Sequence, residues 1–225
     1  MVQCKICQGP TTAFYDDYMQ CRTFHCSDCA FIFKDEQALI SKEKELKVYQ
    51  QHNNSEENLG YVAMFQDFID KTFAPHKAQI KTALDFGSGP TPVLAKMLMR
   101  EGFATDIYDK FFSPEKVFEG KTYDLITSTE VLEHIGDVHG VMALLTRHLN
   151  PGGYLALMTQ FHDNTREHYL QWWYRRDPTH IVFYRPETFQ VLAKQYGMTL
   201  HYHDSKKIVL LQKTSLDKSK PPVLQ

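Results

Sequence analysis

The stretch that decides the fold reads ALDFGSGP and spans residues 83–90. The apolar run 80–86 predicts a buried strand that carries Asp85 and leads into a glycine-rich turn. A helix-compatible segment follows at 93–100, so the three parts form the first half of a βαβ unit. Glycine has no Cβ, so this turn lets a ligand lie against bare backbone, and the helix start adds unpaired N–H groups.

The spacing of the turn distinguishes between cofactors. Pro92 stands where the dinucleotide fingerprint needs its third glycine, and no Lys-Ser/Thr pair makes a phosphate loop. The D-x-G-x-G spacing of Asp85, Gly87 and Gly89 instead resembles motif I of class I S-adenosylmethionine (SAM)-dependent methyltransferases. Thr91 replaces the third glycine of that motif. A purely structural turn is the alternative, so the rest of the chain has to decide.

Composition limits the class of protein. The 225 residues suffice for one substantial core and a small appendage, and 43% of them are hydrophobic. A net charge of -2 argues against a nucleic-acid partner. No apolar run approaches the roughly 18 residues that span a bilayer, so no membrane partner is expected. The first residues lack an apolar signal segment, which predicts a cytoplasmic location.

All five cysteines lie within the first 29 residues, which favours a metal site over disulfides. Two C-x-x-C pairs separated by 18 residues match a zinc pattern with a closed, structural, tetrahedral site. The predicted zinc ligands are Cys4, Cys7, Cys26 and Cys29. Cys21 and His25 are alternative ligands outside this spacing, and Cys21 reads better as a small buried hydrophobe. A β-hairpin is predicted between the pairs, in a structural or substrate-facing module over 1–35.

Residues 36–80 predict a helical linker. Alternating charges over 36–50 suit a solvated helix face, and apolar residues over 61–73 follow a helical spacing. In the methyltransferases that motif I resembles, a helix before the motif often closes over the cofactor. By that resemblance His52, Asn53 and Tyr61 are candidate cofactor contacts, with core packing as the alternative for Tyr61.

A second predicted strand, 103–109, ends at Asp109, 24 residues after Asp85. This is close to the spacing of roughly 20 residues in Rossmann-like folds. An acid at this position of a Rossmann-like fold accepts hydrogen bonds from ribose hydroxyls, which SAM also carries. Lys110 and Phe111 follow directly and join the predicted cofactor site, with the Phe111 ring a candidate to lie against adenine. The alternatives are a helix cap for the acid and core packing for the ring. Strand three must be abbreviated, because few residues remain before the next strand.

The strand 123–128 runs into the segment E-V-L-E-H at 130–134, and P-G-G at 151–153 precedes another strand. Both segments resemble the same methyltransferases, which places Glu130 and Val131 at the cofactor. Glu133 and His134 begin a turn and serve either to anchor it or in catalysis.

With the cysteine pairs, the chain resembles a class I SAM-dependent methyltransferase that carries a zinc ribbon. That resemblance implies SAM and structural Zn²⁺ as cofactors. It also implies an α/β fold with a seven-stranded Rossmann-like sheet, mostly parallel with an antiparallel final strand, helices on both faces and a small N-terminal β zinc ribbon.

Residues 162–186 are dense in aromatic and ionisable side chains, which are costly to bury without partners. By resemblance the segment is a substrate-recognition insertion within the SAM-binding domain 81–213. The predicted substrate contacts are Trp173, Arg175, Arg176 and Asp177, with the two arginines suited to an anionic group. His180 is the first candidate for a general base, and Tyr174 and His134 follow it. The alternative is a packing element with an internal Asp–His hydrogen bond.

A helix over 186–196, strands at 198–203 and 206–212 and a flexible tail over 214–225 complete the prediction. The predicted function is methyl transfer from SAM to a small-molecule acceptor. The alternatives are a zinc-ribbon adaptor or nucleic-acid-binding protein with a SAM-binding but non-catalytic fold, and a nicotinamide-dependent oxidoreductase.

Overall fold

The structure, a computed structural model, describes residues 2–38, 40–50 and 55–215, so most of the predicted tail lies outside it. The strands are β1 (Thr11–Asp16), β2 (Cys21–Cys26), β3 (Ile32–Lys34), β4 (Thr82–Phe86), β5 (Ala104–Tyr108), β6 (Tyr123–Thr129), β7 (Leu149–Met158), β8 (Val182–Phe183), β9 (Met198–His203) and β10 (Ile208–Lys213). The helices are α1 (Lys42–Tyr49), α2 (Leu59–Lys71), α3 (Val93–Arg100), α4 (Val138–Arg147), α5 (Arg166–Gln171) and α6 (Pro186–Gln195). Short 3-10 helices span Glu36–Ala38, Ala74–Gln79, Leu132–His134 and Trp173–Arg176. None of the described helices is long and apolar enough to cross a bilayer.

The main sheet has the order β5-β4-β6-β7-β10-β9. Strands β4 to β7 pair in parallel, and β10 runs antiparallel to β7 and β9. The predicted count of seven strands is wrong, since the described residues form six in this sheet. After β5, Asp109 and Ser113 exchange two backbone hydrogen bonds in a tight turn, and Phe118 is buried in the core. The connection therefore reaches β6 without adding a strand outside β5.

Helices cover both faces of the main sheet, as predicted. Successive side chains of a strand point to opposite faces, and β7 shows this directly. Leu155 and Leu157 pack in a cluster with residues of α4 and α6, whereas Ala156 and Met158 pack in a cluster with residues of α2 and α3. Burial on both faces explains why the strands read as continuous apolar runs rather than alternating ones.

A second sheet, of order β1-β2-β3-β8, contains the predicted N-terminal hairpin. Its last strand comes from the far part of the chain, with Ile32 opposite Phe183. Side-chain bonds reinforce this junction. Thr188 Oγ1 donates to the Cys29 carbonyl over 2.8 Å, and Gln195 Nε2 donates to the Ile6 carbonyl over 2.9 Å. The predicted module 1–35 thus shares its sheet with the segment 162–186.

Candidate active site

A cavity of about 480 Å³ opens at the carboxyl ends of β4, β5 and β6, where a doubly wound sheet places its ligand. Ten of the predicted cofactor residues line it: Tyr61, Asp85, Gly87, Ser88, Gly89, Asp109, Lys110, Phe111, Glu130 and Val131. The same cavity is lined by five residues of the predicted catalytic and substrate sets: His134, Trp173, Tyr174, Asp177 and His180. The candidates His52 and Asn53 lie outside the described residues.

The glycine turn is shaped by a close approach to the loop after β6. Gly87 has a φ of +87°, and a Cβ at this position would lie 2.2 Å from Cγ2 of Val131. Its N–H donates to the Tyr108 carbonyl over 2.7 Å, which holds the ends of β4 and β5 together. Only glycine fits both the backbone conformation and the available space, so the turn presents bare backbone to the cavity.

Asp109 is fixed at the end of β5 by backbone donors. Its Oδ2 accepts the N–H of Gly89 over 3.0 Å, and its Oδ1 accepts those of Phe111 and Phe112 over 2.8 and 3.0 Å. The carboxylate therefore ties the glycine turn to the turn after β5. Because a carboxylate offers about four acceptor sites, it keeps capacity for a ligand.

Asp85 lies at the cavity wall and is only 3% exposed. Its Oδ1 accepts the hydroxyl of Thr127 over 2.9 Å. Burial raises the pKa of the Asp85 carboxyl to about 7, and the hydrogen bond from Thr127 offsets part of that rise. A carboxyl with this pKa exchanges its proton near neutral pH.

A buried acidic pair meets at the hydroxyl of Tyr174. This oxygen lies 3.0 Å from Oε2 of Glu130 and 2.5 Å from Oε1 of Glu133. Burial raises the pKa of both carboxyls, and the neighbouring Glu133 raises that of Glu130 further. A phenol has one hydrogen to donate, so one of the two contacts requires a proton on a carboxyl when no other ligand is bound.

Two imidazoles adjoin this acidic pair, with the ring centroids of His134 and His180 4.7 Å apart. Nδ1 of His134 lies 3.1 Å from the Thr179 carbonyl, and Nδ1 of His180 lies 2.8 Å from the Tyr174 carbonyl. A carbonyl oxygen only accepts, so each Nδ1 carries the hydrogen and each Nε2 is left with a lone pair. Burial lowers the pKa of both imidazoles, to about 3 for His180, where the neighbouring His134 adds to the effect.

The two predicted substrate arginines point away from the cavity. Arg175 is 3% exposed, and its Nη1 lies 3.3 Å from Oδ2 of Asp16 on β1. The Arg176 guanidinium lies over the ring of Tyr18, 5.2 Å from the centroid. Neither guanidinium is therefore brought to the cavity to hold an anionic group. Trp173, by contrast, lines the cavity and remains 66% exposed.

Helix α1 contributes residues to the cavity that the sequence pattern does not single out. The Tyr49 ring lies 5.2 Å from that of His134 and 5.7 Å from that of Phe111. Lys110 Nζ pairs with Oε2 of Glu45 over 3.0 Å. The alternating charges of this segment indicate a solvated face, and the one aromatic side chain of α1 is the signal that it packs on something.

A family model described as a methyltransferase domain matches residues 55–203. The chain belongs to this family of methyltransferase domains. The match runs from α2 to β9 and includes the lining of the cavity apart from α1. No curated protein matches the chain.

Solved structures similar to this methyltransferase domain share its fold at low identity. An O-methyltransferase family protein from Burkholderia thailandensis is 15% identical, with a TM-score of 0.55 over 77% of this chain and 64% of its own. Human N-acetylserotonin methyltransferase in complex with SAM is 18% identical, with a TM-score of 0.53 over 78% and 57%. NodS, an N-methyltransferase from Bradyrhizobium japonicum in complex with S-adenosylhomocysteine (SAH), is 11% identical, with a TM-score of 0.50 over 76% and 97%. The chain thus spans less than two thirds of the first two proteins.

Outside the cavity, the chain carries a cluster of four cysteines. Their sulfurs all lie within 4.8 Å of one another in the set Cys4, Cys7, Cys26 and Cys29. The Cys4–Cys29 and Cys7–Cys26 sulfur pairs are 3.6 and 3.5 Å apart. Four sulfurs about 2.3 Å from a tetrahedral zinc ion are ~3.8 Å apart, so the cluster fits this ion.

The two alternative zinc ligands lie apart from this cluster. Cys21 begins β2 opposite Asp16 and is 7% exposed, which fits a small buried hydrophobe. Nε2 of His25 bonds instead to Oδ1 of Asn164 over 2.9 Å. Folding therefore brings together the four cysteines of the two C-x-x-C pairs and neither of the two alternatives.

Proposed function

We propose that this methyltransferase transfers a methyl group from SAM to a small-molecule acceptor. The observation that carries the proposal is a single cavity that joins the glycine turn, Asp109 and Glu130 to Tyr174 and His180. The family supplies the reaction class. SAM and SAH are the ligands of the human and Bradyrhizobium structures that share the fold, which supports SAM as the donor here.

The cofactor half of the cavity offers polar atoms that a ligand would satisfy. Ser88 Oγ and Glu130 Oε1 are buried and have no hydrogen-bond partner among the described residues. Buried polar atoms are rarely left unpaired, so this favours a polar ligand beside the bare backbone of the glycine turn. We expect Asp109 to accept the ribose hydroxyls, Phe111 to lie against adenine and Tyr61 to close the wall from α2.

The remaining half of the cavity is the proposed acceptor site. SAM supplies a methyl group that its sulfonium already activates for displacement. The protein has to align the acceptor with that methyl, and alignment alone supplies about 7–11 kcal/mol in favourable cases. Trp173 and Asp177 at this end are proposed acceptor contacts. The Nε2 lone pairs of His180 and His134 are the groups suited to take a proton, whereas the Tyr174 hydroxyl is held by two carboxyls.

The size and cover of the cavity support a small acceptor. Its volume of about 480 Å³ falls in the range of small-molecule sites, about 300–1,000 Å³, and it must hold both donor and acceptor. Helix α1 lies over it through Tyr49 and Glu45. A macromolecular acceptor would have to insert a narrow segment into this space.

We also propose that the four clustered cysteines hold Zn²⁺ in a closed structural site. Three of the four side chains are buried and Cys7 is partly buried, so the cluster has no obvious open position for a substrate. Because β3 pairs with β8, such an ion would stabilise the wall that carries Tyr174 and His180.

Isothermal titration calorimetry with SAM, SAH and NAD tests the proposed function. We expect saturable binding of SAM and SAH and none of NAD. Absence of SAM and SAH binding at millimolar concentration would overturn the proposal, and preferential NAD binding would favour an oxidoreductase. A structure with SAH bound would then define the shape of the acceptor half.

A further inference from the structure

We propose that Glu133, His134 and His180 form a divalent-cation site at the acceptor end of the cavity. One ligand atom from each of the three side chains lies within 4.8 Å of the others. Glu133 Oε1 is 3.9 Å from Nε2 of His134. The site deepens the proposed function and rests on it only for the ligand that would complete the coordination.

The two imidazoles are already oriented as metal ligands are. Each donates its Nδ1 hydrogen to a backbone carbonyl, His134 to Thr179 and His180 to Tyr174. Metal-binding histidines almost always donate the second ring N–H in this way, which fixes the tautomer and the ring orientation. The Nε2 atoms are therefore the ones left to bind a cation.

The carboxylate lacks the partners that a buried charge needs. Glu133 is fully buried, and its Oε2 has no hydrogen-bond partner in the part of the chain that the structure describes. Across that same part, no lysine or arginine forms an ion pair with Glu133 or Glu130. Buried charges in proteins are paired or coordinate metals. Tyr174 holds the other oxygen, Oε1, in place over 2.5 Å, as an outer partner of a ligand would.

The ligand set indicates the class of cation and what completes it. Two imidazole nitrogens and one carboxylate oxygen suit Zn²⁺, Mn²⁺, Fe²⁺ or Co²⁺, whereas Mg²⁺ and Ca²⁺ prefer oxygen ligands alone. His134 and His180 line the cavity and Glu133 lies behind them, so the open positions face the proposed acceptor. An acceptor with an oxygen donor, a hydroxyl or carboxylate, would fill them. The imidazoles then serve as ligands rather than as bases, and a bound hydroxyl would release its proton to water.

The test uses the full chain with zinc in its cysteine cluster, dialysed to one zinc per chain and titrated with Co²⁺. We expect one further equivalent of Co²⁺ to bind. Its visible absorption should be weak, as is typical of nitrogen- and oxygen-ligated cobalt, without the strong band of thiolate-ligated cobalt. In His134→Asn and His180→Asn the amide can still donate to the carbonyl, but the Nε2 ligand is gone. Since loss of an outer partner alone weakens binding about 10–100-fold, we expect at least about 100-fold weaker Co²⁺ binding.

His168→Asn is the matched control, because its imidazole also adjoins a carboxylate, 3.3 Å from Asp163 Oδ1, but lies outside the cavity. It should keep the second equivalent. The inference is overturned if the wild type binds no second Co²⁺ at millimolar concentration, or if both histidine variants bind it unchanged. Circular dichroism checks that each variant folds. If a histidine variant does not fold, Glu133→Gln takes its place in the cobalt titration. If the protein binds SAH but no second Co²⁺, only this inference is rejected. If it binds a second Co²⁺ but no SAH, only the proposed function is rejected.

Discussion

The hydroxyl of Tyr174 lies 2.5 Å from Oε1 of Glu133, which joins the segment after β7 to the loop after β6. The same hydroxyl reaches Oε2 of Glu130 over 3.0 Å. One oxygen thus connects the proposed acceptor wall to the proposed cofactor wall. Displacement of this side chain would alter both halves of the cavity.

Tyr174→Phe should destabilise the protein, because it leaves two buried carboxyls without their shared partner. Leaving a buried polar group unpaired costs about 1–3 kcal/mol. Urea unfolding measures the loss in free energy of unfolding. The control is Tyr15→Phe, at a ring that is 49% exposed, where we expect a change within about 0.5 kcal/mol. Equal stability of the two variants would show that the contact is not formed in solution.

Gly87→Ala should weaken cofactor binding through a clash rather than through backbone strain alone. Its Cβ would meet Val131 at 2.2 Å, whereas a Cβ on Gly102, also at positive φ, meets nothing within 4 Å. Gly102→Ala should therefore lose about 1–2 kcal/mol of stability and keep its SAH affinity. We expect Gly87→Ala to bind SAH at least about tenfold more weakly by calorimetry, a loss of about 1.4 kcal/mol. The same SAH affinity in both variants would contradict the role of this turn.

Arg175→Met should behave as a structural variant. It leaves Asp16 buried without its cation, and breaking a buried ion pair in this way costs about 3–5 kcal/mol. The folded fraction should bind SAH normally. Arg176→Met, which removes only a contact with Tyr18, should cost about 0.5–1 kcal/mol. If Arg175→Met were as stable as the wild type, the guanidinium would be available for a substrate after all.

Titration of the Asp85 carboxyl should make the free energy of unfolding depend on pH. Burial raises the pKa of this carboxyl from 3.8 to about 7, so the folded state binds a proton that the unfolded state releases. Stability contributed by that proton is complete below pH ~4 and is lost as the pH rises through ~7. Asp85→Asn removes this dependence and should be more stable than the wild type at pH 8. Urea unfolding at pH 5 and pH 8, without SAM, gives the difference, and parallel pH profiles would refute the assignment.

Removal of the proposed zinc ion should affect the whole domain rather than the N-terminal hairpin alone. Because β3 pairs with β8, and because Thr188 donates to the Cys29 carbonyl, we expect Cys26→Ser to lower both thermal stability and SAH affinity. Cys21→Ser, outside the cluster, should retain one zinc per chain by metal analysis. A zinc-free Cys26→Ser protein that folds and binds SAH like the wild type would disprove the structural site.

The proposed cofactor side of the cavity could be predicted from the sequence because it depends on the order of neighbouring strands and turns. The carboxyl ends of parallel strands meet at one edge of a sheet, so Asp109 and Glu130 had to come close to the glycine turn once the strands were recognised. The number of strands in the main sheet was harder to predict. It depended on whether residues 109–122 could form a strand, and the Asp109–Ser113 turn decided against it.

The proposed acceptor side depends on pairings between distant parts of the chain, which a single sequence does not reveal. Arg175 points away from the cavity because Asp16 lies on a strand of the N-terminal hairpin. Tyr49 reaches His134 from a helix whose charges suggest solvent on all sides. Both relationships follow from how the N-terminal hairpin and α1 dock, and neither leaves a local pattern.

The two paired strands β3 and β8 are synthesised at different times. Ile32 leaves the ribosome about 150 residues before its partner Phe183, which at about 5–20 residues per second is a wait of roughly 8–30 s. During that interval the cysteine knuckles have their own hairpin but not the strand that completes their sheet. Early capture of the proposed zinc ion would keep the thiols from oxidation and give the late strand a preformed edge on which to dock.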